Sequence, residues 1–182
     1  MLRLATIAAA GVTALTLLSG NACNPDPPGE PAGTYAVQGT LVENTCGPGV
    51  AAVPDPLSFN AELRVDPDGP VYWRRAGRPI VTGVAKGNAY QFQSRGSYPI
   101  SGVEQCTLSE NNDLTFTVEG AEAADRDAGA GAGTTLSGKL VTLFAASSGS
   151  DCRRLLAVNG GPWLALPCQV TYTLDGKPTS GF

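Results

Sequence analysis

The sequence predicts an all-β fold: an antiparallel meander forming a small closed or partly open β-barrel, with a β-sandwich as the alternative. Three observations carry this. Apolar and polar residues alternate at period two in one run after another, helical periodicity is nearly absent, and 23 glycines and 14 prolines punctuate the chain where turns need them. Alternation assigns side chains to faces, but it does not separate a closed barrel from two packed sheets.

Taken in order, Tyr35, Val37, Gly39 and Leu41 share one face of a first strand, opposite Ala36, Gln38 and Thr40. Leu57, Phe59, Ala61, Leu63 and Val65 alternate strictly with Ser58, Asn60, Glu62, Arg64 and Asp66, which makes the cleanest strand of the chain. Turn chemistry at residues 66–70 leads into a return over Val71, Tyr72, Trp73 and Arg74, so a hairpin is expected. A brief strand over residues 80–84 and another over 89–95 follow, and residues 96–102 read as a loop. Residues 103–109 and 114–119 are expected to form a second hairpin about Glu110-Asn111-Asn112-Asp113. Residues 120–133 hold no large apolar side chain and read as a surface loop. The nearly continuous apolar run within residues 136–146 suits a central strand. Residues 151–167 make an irregular excursion with room for one helical turn near Arg153, and a final strand starts at Cys168.

Four segments follow from this: a signal peptide over residues 1–22, a tether over 23–33, a β domain over 34–176 and a tail over 177–182. Met1-Leu2-Arg3, an apolar run over residues 4–18 and Ser19-Gly20-Asn21-Ala22-Cys23 have the layout of an export signal, too short to span a bilayer. Cys23 after a small residue resembles the lipidation site of bacterial lipoproteins. The resemblance implies a lipid on the Cys23 sulfur and membrane attachment through it, and Asn24 in place of aspartate implies the outer membrane of a Gram-negative envelope. Residues 24–33 carry four prolines and two glycines, an extended tether of about 30 Å at polyproline reach. Gly33-Thr34-Tyr35 faintly resembles the Gly-x-Trp motif that begins the first strand of lipocalins, which implies a calycin-like barrel.

The chain has five cysteines. With Cys23 lipidated, Cys46, Cys106, Cys152 and Cys168 remain, an even set able to close two bridges in an oxidising compartment. Three pairings are open. Side-by-side first and last strands would join Cys46 to Cys168 and leave Cys106 with Cys152. The local set, Cys152 with Cys168 and Cys46 with Cys106, is slightly preferred, because the excursion between Cys152 and Cys168 has little regular structure to hold it.

Charge and composition exclude more than they assign. A net charge of -4 argues against a nucleic-acid partner and against electrostatic attachment to anionic lipid. The absence of histidine removes the commonest general base and every Ser-His or Cys-His nucleophile pair. No Cys-x-x-Cys pair points to a metal, and neither a metal nor a cofactor is expected. Ser137 and Lys139 are spaced for a dyad on one strand face, though an outward wet pair is the plainer reading. Glu122, Asp125 and Asp127 bunch in the glycine-alanine loop without calcium-loop spacing, which reads as solvated charge.

Tyr72, Trp73, Arg74, Arg75 and Arg78 form the one local basic and aromatic cluster, suited to an anion, a glycan or an acidic partner. Trp163 reads as a plug over one barrel end or as a contact residue. The function expected is a lipid-anchored envelope β-barrel of non-enzymatic binding or structural role, taking a small ligand or protein partner. The alternative is a carboxylate-dependent envelope hydrolase acting on glycans, recognisable by two acids converging in a cleft.

Overall fold

A computed structural model describes residues 27–67, 69–120 and 134–180. Its strands are β1 (Glu30–Asn44), β2 (Leu57–Val65), β3 (Val71–Arg75), β4 (Val81–Lys86), β5 (Ala89–Pro99), β6 (Thr107–Glu119), β7 (Thr135–Ala146) and β8 (Cys168–Pro178). Each pairs antiparallel with the next, and β8 returns to β1, so the meander is a closed barrel rather than a sandwich. Two 3-10 turns, Arg153–Leu155 and Ala157–Asn159, lie in the excursion before β8.

The alternating side chains sort as their period requires. Tyr35, Val37, Leu63, Val71, Phe92, Leu136 and Leu174 are buried inside, while Gln38, Ser58, Asn60, Gln91, Gln93, Asp175 and Lys177 are exposed outside. An apolar interior within a polar wall is the reverse of a barrel that lives in lipid, whose outer band is apolar. Among the described residues, no helix is long and apolar enough to cross a membrane.

Three expectations change. Residues 110–113 do not turn: β6 runs unbroken from Thr107 to Glu119, paired with β5 on one side and β7 on the other. Residues 96–99 are strand, the upper part of β5, rather than loop. β1 starts at Glu30, inside the proline-rich stretch, because Arg64 on β2 donates to the carbonyls of Pro28 at 3.1 Å and Gly29 at 2.6 Å.

The disulfides also correct the preferred pairing. Cys46 joins Cys168 (Cα–Cα 5.0 Å) and Cys106 joins Cys152 (4.7 Å). Barrel closure brings the end of β1 to the start of β8, where the Thr45 amide donates to the Gln169 carbonyl at 2.9 Å. The excursion does not need a bridge across its own ends. Its backbone is tied internally, Trp163 N to Leu155 O at 3.0 Å and Ala157 N to Trp163 O at 2.7 Å, and to the β1 end by Leu164 N to Cys46 O at 2.7 Å. Bridges of this kind belong to an oxidising compartment outside the cytoplasm.

The strands alternate between a lower end, where β1 begins and β8 stops, and an upper end that carries both disulfides. Aromatic rings fill the middle and lower barrel: Phe116 lies 4.9 Å from Trp73, 5.3 Å from Tyr90 and 5.7 Å from Phe92, centroid to centroid. Gly138 on β7 makes room for them. A Cβ there would collide with the Thr115 carbonyl and stand 2.5 Å from the Phe116 Cβ.

Truncating the ring at the centre of this cluster, Phe116→Ala, should lower the unfolding free energy by about 3–5 kcal/mol in denaturant titration. The phenols of Tyr35, Tyr90, Tyr98 and Tyr172 are all pushed up, first by burial; at Tyr35 a Thr134 hydrogen bond opposes the shift and at Tyr98 the Glu110 charge adds to it. A raised folded value means that the protonated phenol is favoured by folding. That stability is complete below the ordinary phenol range and is lost as pH climbs through it. Phenolate absorbance should therefore appear later in native than in denatured protein, and the thermal midpoint should fall over the same alkaline window.

Candidate functional site

The upper half of the barrel is not filled. A cavity of about 700 Å³ opens there, beside a smaller lobe of about 100 Å³; Arg75, Arg78, Glu110, Asn112 and Leu140 line both. Its shape follows from how β3, β4 and β5 are joined. β3 pairs with β4 only from Val71 to Trp73, and β4 pairs with β5 only from Lys86 to Gly83, opposite Phe92. Above that point Val81 and Thr82 have no β5 partner, and residues 93–99 of β5 are laddered to β6 alone. The wall parts into a lateral slot, edged by Ile80 and Thr82 on one side and Gln93, Arg95 and Ser97 on the other.

The pleat of β3 decides which basic residues enter. Val71, Trp73 and Arg75 point inward, Tyr72 and Arg74 outward. Arg74 reaches the buried outer carboxylate of Glu62 at 3.2 Å, where Arg64 also binds at 2.7 Å. Arg75 instead lays its guanidinium over the Phe59 ring, 3.7 Å from the centroid. A turn closed by Arg78 N to Arg75 O at 3.1 Å puts the exposed Arg78 on the rim.

Facing Arg75 is a polar relay across three strands. Thr142 on β7 donates to Asn112 Oδ1 at 2.7 Å, and Asn112 Nδ2 donates to Glu110 Oε1 at 2.8 Å and to Ser94 Oγ at 3.4 Å. The upper end is roofed by the segment after β1, whose Pro54 carbonyl accepts from the Tyr172 hydroxyl at 2.8 Å, and by the excursion. There Trp163, 5% exposed, meets Phe144 edge-on at 5.2 Å.

Burial depresses the Arg75 pKa first, the Arg78 charge adds to that, and Glu110 opposes it. Among the described residues no carboxylate lies in ion-pair range of Arg75, and its Nε is buried without a hydrogen-bond partner. The Trp73 Nε1 is buried and unpartnered too. Trp73 and Arg75 are both lining residues of the cavity. The site is therefore a desolvated cation and a bare N–H donor set in an aromatic wall, with an amide-bound carboxylate nearby.

Of the cluster singled out by sequence, Trp73, Arg75 and Arg78 come together in the cavity; Tyr72 and Arg74 stand on the outer face, and Trp163 lies in the roof and lines neither lobe. Phe59, Ser94, Glu110, Asn112 and Thr142 were not singled out. Their signal was present at Glu110 and Asn112, which keep the inward phase of Leu108, Leu114 and Phe116. Ser137 and Lys139 are exposed on the outside of β7, Ser137 Oγ sitting 3.4 Å from Thr117 Oγ1. Cys23, Glu122, Asp125 and Asp127 lie outside the described residues. Among the described residues, no group of three or more His, Cys, Asp or Glu is arranged for a metal ion. No protein-family model matches the chain, and no curated protein matches it.

A partly buried cation without an ion-pair partner contributes little to a fold, so replacing it with an apolar chain of similar reach should not harm stability. Arg75→Met, measured by denaturant unfolding of ligand-free protein, is expected to stay within about 1 kcal/mol of wild type or to exceed it. A loss of about 3 kcal/mol or more would make Arg75 a structural residue.

Proposed function

We propose that the protein is an exported, lipid-anchored component of the cell envelope whose barrel binds a small ligand without chemically transforming it. The observation that carries this reading is the half-filled interior: aromatic packing stops midway, and above it a cavity of about 700 Å³ opens through the wall beside an unpaired arginine. Pockets of this size, mostly apolar with a few convergent polar groups, are the usual form of small-molecule sites.

A glycan hydrolase of the common type would need two acids about 5–10 Å apart across a cleft. Glu110 is the one carboxylate among the described residues that line either lobe, and Asn112 already binds it, which favours binding over hydrolysis. Attachment through Cys23 is supported by the export-signal layout of residues 1–22 and by parity. The four other cysteines close two bridges among themselves, so Cys23 is the one left for lipid. Asn24 favours the outer membrane as the destination.

The test has two parts. Intact mass of protein extracted from membranes should show a chain starting at Cys23 and carrying diacylglycerol, gaining the hydrogens of two bridges on reduction. A free amino terminus upstream or an unmodified Cys23 would sink the anchor. Nile red, a neutral solvatochromic dye, should bind the delipidated domain one to one with a blue-shifted emission that filling the cavity by Leu140→Trp weakens.

A further inference from the structure

We infer that the ligand of this cavity is a monocarboxylate on a flat apolar body, its carboxylate taken by Arg75 and the Trp73 indole N–H and its body lying along Phe59, Phe92 and Leu140. The inference deepens the binding reading above and rests on it.

Hydrogen-bond accounting points to an acceptor. Three buried side-chain polar atoms lack a partner among the described residues: Trp73 Nε1, Arg75 Nε and Ser147 Oγ. The first two are N–H groups on groups that only donate, and they occupy successive inward positions of one strand, both on the cavity wall. A buried donor left without an acceptor keeps its desolvation cost uncompensated. A guest that offers acceptor oxygens to both recovers that cost on binding, whereas a donor or a hydrocarbon does not.

Charge narrows the class. Arg75 and Glu110 line the chamber, the exposed Arg78 stands on its rim and Arg95 points outward on the slot edge, so chamber and rim together carry one more positive than negative charge. A single negative charge balances that excess, and a second would add to the repulsion from Glu110. The planar guanidinium fork matches the two oxygens of a carboxylate. Its face is already laid on Phe59, and the side chain is only partly buried, which leaves the rest of the guanidinium for the guest. The walls give the rest: rings at Phe59, Trp73 and Phe92 suit a flat body better than a branched one.

Displacement of Nile red by anthracene carboxylate and by its uncharged methyl ester, at neutral pH, tests this. The acid should displace the dye at about tenfold lower concentration than the ester. The preference should vanish in Arg75→Met and widen in Glu110→Gln, a gain that misfolding cannot produce. If the dye binds but acid and ester displace it equally, or if Arg75→Met keeps the preference, the carboxylate assignment is overturned and the binding barrel stands. If calorimetry detects neither dye nor acid, the binding reading falls as well.

Discussion

β1 is hydrogen-bonded along both edges, to β2 through Gly39 opposite Leu57 and to β8 through Tyr35 opposite Pro178. That double pairing turns a meander into a closed wall and gives every residue on it an inside or an outside. Without it, alternation would produce a sheet with two exposed edges and no enclosed volume. The Cys46–Cys168 bridge sits where the two terminal strands meet at the upper end, a link across 122 residues of chain at the point that closure most depends on.

Within that wall the volume is unevenly spent. Rings crowd the middle, and backbone positions without side chains, Gly83 against Phe92 and Gly138 against Phe116, let them sit close to the strands. Higher up, inward positions change from apolar to polar: Ser94 follows Phe92 on β5, Asn112 precedes Leu114 on β6, and Thr142 follows Leu140 on β7. Arg75 does the same above Trp73 on β3. Four strands switch together at one level, which makes the polarity a property of a region and not of any one strand.

The same switch explains what could and could not be read from sequence. β2, whose inward residues are apolar throughout, was legible to within a residue, because period two is unambiguous when one face is apolar, whereas the ends of β1 and β8 run several residues beyond their alternating runs. Glu110-Asn111-Asn112-Asp113 looked like a turn for the reason that makes it part of the chamber wall: the inward residues of a strand lining a polar chamber are themselves polar, so alternation disappears where the chamber begins. Residues 96–99 were lost to the loop category because Gly96, Ser97 and Pro99 are turn-forming residue types, which leaves Tyr98 alone to mark the inward face. The basic cluster was visible as composition, but its division into Arg74 on Glu62, Arg75 on Phe59 and Arg78 on the rim depends on strand phase and on where β3 ends. The disulfide pairing turned on closure, a long-range fact that no local spacing encodes.

β4 and β5 part company above Gly83 and Phe92, and the access they leave is a cleft in the side of the molecule, away from the roof that Trp163 and the segment around Pro54 make over its top. A sideways opening places no ceiling on how long a guest can be. On the binding reading proposed above, one end of a guest can occupy the chamber while the remainder trails along the outer wall, so the dimensions of the hollow limit only the part held inside.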